Sequence, residues 1–323
     1  MSQHVPLGVV FAGVAAGIKK NGAADLALIV SDRSCAAAAV FTQNKFPAAP
    51  VLYDRALVAA NSGGLRGAVI NAGCANACTG DEGLADAAQM AAEAETALGL
   101  PPRSCAVMST GVIGVRLPMD KIAAGVRLAA SRLAVAGWAA TAHAIMTTDT
   151  RPKVAFREAA GARLFGMCKG AGMIHPNMAT MLATIVTDAA IAPAALDAAL
   201  RRAVEVSFNS ISVDGDTSTN DTVLILANGA AGPADADVFA AALTNRSCAT
   251  ARGPANSSRC GLLAPHRMRM PGAPRKPLPT RPWSRPRSTA ATRIGAVSCA
   301  PWAIPARKWI PAGPTCGSPP GPA

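Results

Sequence analysis

All 19 Asp and Glu residues of this 323-residue chain lie before Asn245. The first 244 residues carry 18 Lys and Arg beside those acids, so that stretch is close to neutral. The last 79 residues hold 13 Lys and Arg, 15 of the 25 prolines and no acid at all. Folded surfaces normally intersperse both signs of charge. The break therefore confines the packed core to the first three quarters of the chain. It also assigns the formal net charge of +12 to the tail, so the charge by itself is no argument for a nucleic-acid or membrane binder.

Within 1–244 the apolar pattern alternates between short runs and longer helical periods. LALIVSD at 26–32 and AAAAVFT at 36–42 predict two short strands parted by polar turn residues, and 9–70 as a whole reads as strands and turns. GAVINAG at 67–73 predicts a buried strand running into a loop. Residues 81–98 predict a helix, Ala-rich with acids in its first turn. CAVMSTGVIG at 105–114 predicts a strand leading to a glycine turn, and 118–134 a second helix with Pro near its start. A strand follows Lys153, a third helix spans 193–208, and TVLILANG at 222–229 is a further buried strand. Strands interspersed with helices predict a layered α/β fold. No apolar run reaches the ~18 residues of a membrane span. The N-terminus lacks the basic segment of a secretory signal. The nine cysteines show no zinc-knuckle spacing, which suits reduced thiols in the cytoplasm.

The tail from 245 to 323 has neither helical nor strand period. A basic, acid-free arm can bind nucleic acid. It is also what a coding sequence yields when read out of frame, and that reading can be tested on the sequence. Codons permitted for residues 279–304 spell NSPLVKTALYGRDPNWGRILCALGH when read from the third base. The shifted text has the acids, aromatics and apolar patterning that the tail lacks. Restoring one base at Asn245 likewise permits KQIVRDGEGA. A one-base deletion near codon 245 is the expectation.

The chemistry centres on KGAGMIHPNMATMLAT at 169–184. Lys169 precedes a flexible glycine turn, and Pro176-Asn177 breaks regular structure. Ala179 is followed by Thr180, which opens an apolar strand running through Val186. A Thr so placed can attack the preceding carbonyl, move the acyl group from N to O and free itself by hydrolysis. Its own α-amine, which titrates at about 7.7–8.0 in model peptides, can then act as the local base. An Ala-Thr pair taken alone is usually no more than the start of a strand.

The neighbouring segments add the specificity. GVAAGIKKNGAADLALIVSD, NAGCANACTG, MSTGVIG, IMTTDTRPK, KGAGMIHPNMATML and SFNSISVDGDTSTNDT occur in that order. Together they resemble the ornithine acetyltransferase family, the bifunctional glutamate N-acetyltransferases, over essentially all of 7–244. The shifted-frame text resembles the family's C-terminal part. The resemblance implies an N-terminal-nucleophile type of αββα fold, with self-cleavage between Ala179 and Thr180. The precursor would divide into an α chain, 1–179, and a β chain starting at Thr180, of which 180–244 precede the tail. Thr180 would be the nucleophile, Thr110 and Gly111 the oxyanion hole, and Thr147 and Lys169 substrate-binding residues together with Thr180. The implied reaction moves acetyl from N-acetylornithine to glutamate without a cofactor, in a heterotetramer of two α and two β chains. Some members also take acetyl from acetyl-CoA, and these motifs do not decide between the two modes. An aminopeptidase or amidase with the same self-activating device is the alternative, and no membrane or nucleic-acid partner is implied.

Two features give no metal site. SVDGDTSTNDT, with Asp214, Asp216 and Asp221, lacks the Gly and Glu that a calcium loop requires, and reads as a turn near the active site. His4, His143, His175 and His266 have no ligand spacing; His175 lies nearest Thr180. The tail carries TARGP at 250–254 where the family has an acidic substrate-binding residue in DGEGA. The chain is therefore expected to lose that carboxylate, the later strands and much of its activity.

Overall fold

The computed structural model describes residues 2–173, 181–210 and 216–245. In chain order these form β1 (Val9–Val14), β2 (Leu26–Phe41), α1 (Ala49–Asn61), β3 (Leu65–Cys74), α2 (Gly80–Leu98), β4 (Cys105–Val112), α3 (Met119–Ala130) and α4 (Trp138–Ala144). There follow β5 (Lys153–Ala159), β6 (Ala162–Lys169), β7 (Leu182–Ala190), α5 (Pro193–Glu205), β8 (Thr222–Pro233) and α6 (Ala236–Asn245). The hydrogen-bonded strand order is β4-β3-β2-β8-β7-β6-β5, with β1 added beside β2. Pairing is antiparallel except for β3 with β4 and β7 with β8.

One long strand joins the two halves of this sheet. The apolar runs expected as two strands are a single β2. Its first part pairs with β1 and β3, and its second, Ala36–Phe41, pairs with β8. The polar residues between the runs do not end the strand. They make a register shift between Val30 and Cys35, with Asp32, Arg33 and Ser34 exposed. An irregularity of this kind bends a strand without breaking it.

Alternation along the strands produces a four-layer sandwich. One face of the β1–β4 half, Leu26, Leu28, Val69 and Val107 among others, packs with Met90 of α2 and Ile122 of α3. The outer face of the β5–β8 half, including Ile185 and Ile225, packs with Leu200 of α5 and Phe239 of α6. Between the halves lie Ile29, Ile70, Met108, Phe165, Leu182 and Leu224. The order helix, sheet, sheet, helix is the αββα arrangement expected. Small side chains form much of the filling, so the two sheets meet through Ala27, Ala37, Ala68 and Ala106 as well as larger groups.

Two further expectations are corrected. Residues 49–61 form α1 and not strand, because Pro50 opens a helix. Its inward face includes Asp54 along with Val51 and Leu57, which hides the apolar period. The second helix, expected to reach 134, stops at Ala130. Ser131 Oγ donates to the Leu128 carbonyl, and Ala134 leaves the helix to exchange two 3.0 Å backbone hydrogen bonds with Phe11. Helices α4 and α6 are additional to those expected. Among the described residues no helix is long and apolar enough to cross a membrane.

Candidate active site

The carboxyl ends of β3, β4 and β6 meet at one end of the sandwich. There they border a cavity of about 850 Å³. Thr110 and Gly111 reach it from β4, Gly73 from β3 and Lys169 from β6. The loop before β2 contributes Lys19, Lys20 and Asn21, the loop after α4 contributes Thr147 and Thr148, and the segment before β8 contributes Ser218–Asn220. Four of the expected residues, Thr110, Gly111, Thr147 and Lys169, thus share one cavity. Ala179 and Thr180, with His175, lie outside the described residues, as do Asp214 and the tail after 245.

The β4 wall is shaped by glycine. In the parallel register Ala72 faces Thr110 and Gly73 faces Gly111. Gly111 has φ +137°, and a Cβ on it would sit 2.2 Å from the Gly73 carbonyl carbon. No side chain is tolerated at that spacing, so the backbone of the strand exit lies bare at the cavity. Beneath it, Asn220 Nδ2 donates to the carbonyls of Ala75 (2.6 Å) and Ser109 (2.9 Å). One buried amide therefore ties the segment before β8 to the ends of both β3 and β4.

On the β6 side one lining residue, Lys169, is set among further buried ionisable groups. Lys169 is 3% exposed, and burial pushes its ammonium down to about 8 against the pull of Asp149 and Asp221. Asp221 is 1% exposed; burial pushes its carboxyl up to about 8, opposed by the Met181 N–H and by Lys169. Its Oδ1 accepts from Met181 N at 2.8 Å, while Thr222 N donates to the Met181 carbonyl at 3.0 Å. The residue after Thr180 is thus fixed through both its backbone groups. Burial also opposes ionisation of Asp149, but its bond from Lys153 and the Gly170 N–H hold it below the usual carboxylate range.

The loop from 16 to 24 is organised by one buried acid. Asp25 accepts from the backbone N–H groups of Ala16, Ile18 and Lys19 at 2.6–2.8 Å. Lys19 in turn donates to the Ala24 carbonyl at 2.6 Å, and burial lowers its ammonium from the usual value. Asp25, Lys19, Asp149 and Asn220 were not singled out from sequence. All four stand inside the motifs GIKKNGAADL, MTTDT and TSTNDT, but nothing in the spacing says which polar residue points inward. The turn before β8, expected near the active site, is there as far as residues 216–221 describe it.

Among the described residues no cysteine lines this cavity, although Cys74 and Cys168 adjoin Gly73 and Lys169. Cys35 and Cys105 are buried, and burial pushes them up to about 11 and about 12. Among the described residues no group of three His, Cys, Asp or Glu is arranged to hold a metal ion.

Comparison with known proteins gives the site a context. The model of the ArgJ family matches residues 10–253. The arginine biosynthesis bifunctional protein ArgJ of Symbiobacterium thermophilum is 55% identical over 233 residues, which is 70% of this chain and 58% of that protein. The mitochondrial protein of the same name from Penicillium rubens is 53% identical over 239 residues, 70% of this chain and 49% of that one. The chain therefore spans about half the length of the curated relatives it matches. Among solved structures, ornithine acetyltransferase from Mycobacterium tuberculosis complexed with ornithine is 37% identical, covering 56% of this chain and 97% of that chain with a TM-score of 0.47.

Proposed function

The chain belongs to the ArgJ family, and on that premise we propose that it is built as an acetyltransferase of arginine biosynthesis, carrying acetyl on the hydroxyl of Thr180. The peptide bond between Ala179 and Thr180 breaks first, leaving Thr180 with a free α-amine. That amine takes the hydroxyl proton as Oγ attacks the acetyl carbonyl of N2-acetyl-L-ornithine. The tetrahedral oxyanion is held by the Thr110 hydroxyl and the Gly111 N–H. The C–N bond then breaks, the amine returns the proton to the leaving nitrogen, and ornithine departs. L-Glutamate repeats the sequence in reverse, its amino group taking acetyl from Thr180. Lys169, with Thr147, holds the amino-acid carboxylate.

The observation that carries this reading is the convergence of Thr110, Gly111 and Lys169 on one cavity, with Met181, the residue bonded to Thr180, anchored by Asp221. An oxyanion donor contributes about 10²–10³ in rate, and a buried ammonium suits a carboxylate. The cavity suits an amino-acid substrate and does not distinguish acetyl-CoA as a second donor. A heterotetramer of two α and two β chains belongs to the same proposal.

The tail from 245 is proposed to be out of frame, so that this chain lacks the acid and the later strands that complete the site. Sequencing the gene across codon 245 tests that directly. With the frame restored, the protein should run as two fragments on a denaturing gel and move acetyl from N-acetylornithine to glutamate. Thr180→Ala should run as one band and transfer nothing. A restored protein that transfers acetyl at full rate while uncut overturns the mechanism, and one that passes acetyl only to water favours an amidase.

A further inference from the structure

We propose that Asp149 and Lys153 form a buried clamp on the Gly170 backbone that holds Lys169 in the cavity, making both of them positioning residues for the carboxylate end of the site. The role assigned to Lys169 rests on the function proposed above; the clamp itself rests on geometry. Asp149 Oδ1 accepts the Gly170 N–H at 3.0 Å. Lys153 Nζ donates to the Gly170 carbonyl at 2.7 Å and is ion-paired with Asp149. The acid and the base of one ion pair thus hold the N–H and the C=O of one residue. Both side chains are withdrawn from water, Asp149 to 1% and Lys153 to 15% exposure.

The position of the clamp gives it consequence. Gly170 follows the last residue of β6 and has φ +148°, a conformation glycine adopts freely but does not fix by itself. Without an external hold the direction in which β6 ends, and with it the Lys169 side chain, is loosely set. Lys153 is well placed to supply that hold, since β5 and β6 pair it with Cys168. The other oxygen of Asp149 accepts the Thr147 N–H at 3.4 Å, so the same carboxylate ties the Thr147 rim of the cavity to the Lys169 wall. The charged groups acting on Lys169 are Asp149, Asp221, Lys153 and the neighbouring Cys168. Only the first and third belong to the clamp.

The test is the reactivity of Lys169 in the full chain, by reductive methylation with formaldehyde across pH 6–10. Each lysine is read by peptide mass spectrometry, with exposed Lys121 as internal control. Lys169 should react with a midpoint near 8, well below the ordinary lysine range. Asp149→Asn removes an attracting charge and should lower the midpoint by about one pH unit. Lys153→Met removes a repelling charge and should raise it. The double variant, which lacks both charged holds on Gly170, should release Lys169 from the cavity, so that its midpoint moves up toward the ordinary lysine range. A double variant whose Lys169 keeps the parent midpoint would show that the end of β6 holds itself, and that result overturns the clamp. So does a parent Lys169 that titrates in the ordinary lysine range or fails to react, since its ammonium would then not be held at the cavity. The functional reading fails separately, if these shifts occur but the frame-restored protein moves no acetyl.

Discussion

The two walls of the cavity are made of different materials. On the β3–β4 side, Thr110, Gly111 and Gly73 present a bare backbone, fixed by strand register and by the neutral amide of Asn220. On the β6 side, Lys169 lines the cavity, and Asp149, Lys153 and Asp221, which act on it, are likewise ionisable groups withdrawn from water. Thr110, Gly111, Gly73 and Asn220 carry no group that titrates near neutral pH, and Lys19, beside Gly73, is the ionisable neighbour on that side. The second wall is held by charges that burial disfavours one at a time and that only their partners retain. Under the proposed function, a site that grips an oxyanion of fixed geometry and also binds and releases charged amino acids has reason to divide its work this way. Steric changes should therefore break one wall, and charge or pH changes the other.

The largest effect is expected from Gly111→Ala. The new Cβ would meet the Gly73 carbonyl carbon at 2.2 Å, with φ at +137°. One strand or the other must move, and Thr110 and Gly111, the proposed oxyanion donors, move with it. Acetyl transfer by the frame-restored protein should fall about 10²–10³-fold or more. Backbone strain of about 1–3 kcal/mol should also lower the urea unfolding midpoint, and neither loss should depend on pH. A variant with full activity would show that this wall is more pliable than its packing implies.

Lys169→Met should act next and differently. Losing one charge-assisted bond to a carboxylate costs about 1.5–3 kcal/mol, seen mainly as a raised KM with a smaller change in kcat. In the parent, carboxylate binding should weaken as pH rises through about 8, where the ammonium loses its proton. That dependence should vanish in the variant. A KM that stays flat across pH 8 in the parent would remove Lys169 from substrate binding.

The contrast between the walls also decides what was legible in the sequence. The sheet half of the fold was visible because buried strands such as β3 and β8 are continuous apolar runs, and the helices of 81–98 and 193–208 have clear periods. The STG turn was readable because glycine at a strand exit is a backbone signal. The charged wall was legible only in part. Lys169 and the Asp221 turn stood out, but Asp149 and Lys153, four residues apart, lie in another segment, and only the β5–β6–β7–β8 pairing brings all four together. Helix α1 escaped for a related reason: Asp54 occupies a core position that a periodicity search scores as surface. The bend in β2 escaped because the exposed residues Asp32, Arg33 and Ser34 have the composition of a turn while the backbone continues through them.

Asp54 supplies the smallest effect on chemistry and a sharp test of the division. It is fully buried, with Oδ1 accepting the Val107 N–H of β4 at 2.8 Å and Oδ2 without a hydrogen-bond partner. Burial raises its carboxyl well above the ordinary value. The folded protein therefore keeps this proton over a pH range in which the unfolded chain, titrating near 3.8, has lost it. Stability from this group is complete below that unfolded value and declines as pH rises above it, by about 1.4 kcal/mol for each pH unit of the gap. Asp221, raised to about 8, adds a decline of the same sign between roughly pH 4 and 8. Asp54→Asn keeps an oxygen for the Val107 N–H and should make the urea midpoint fall less steeply from pH 5 to 7.5, with acetyl transfer within about twofold of the parent. Asp221→Asn should flatten the same curve but also change transfer, because it removes a charge that raises the Lys169 ammonium, the proposed holder of the substrate carboxylate. Equal effects of the two substitutions on transfer would mean that the neutral wall depends on buried charge as much as the other does.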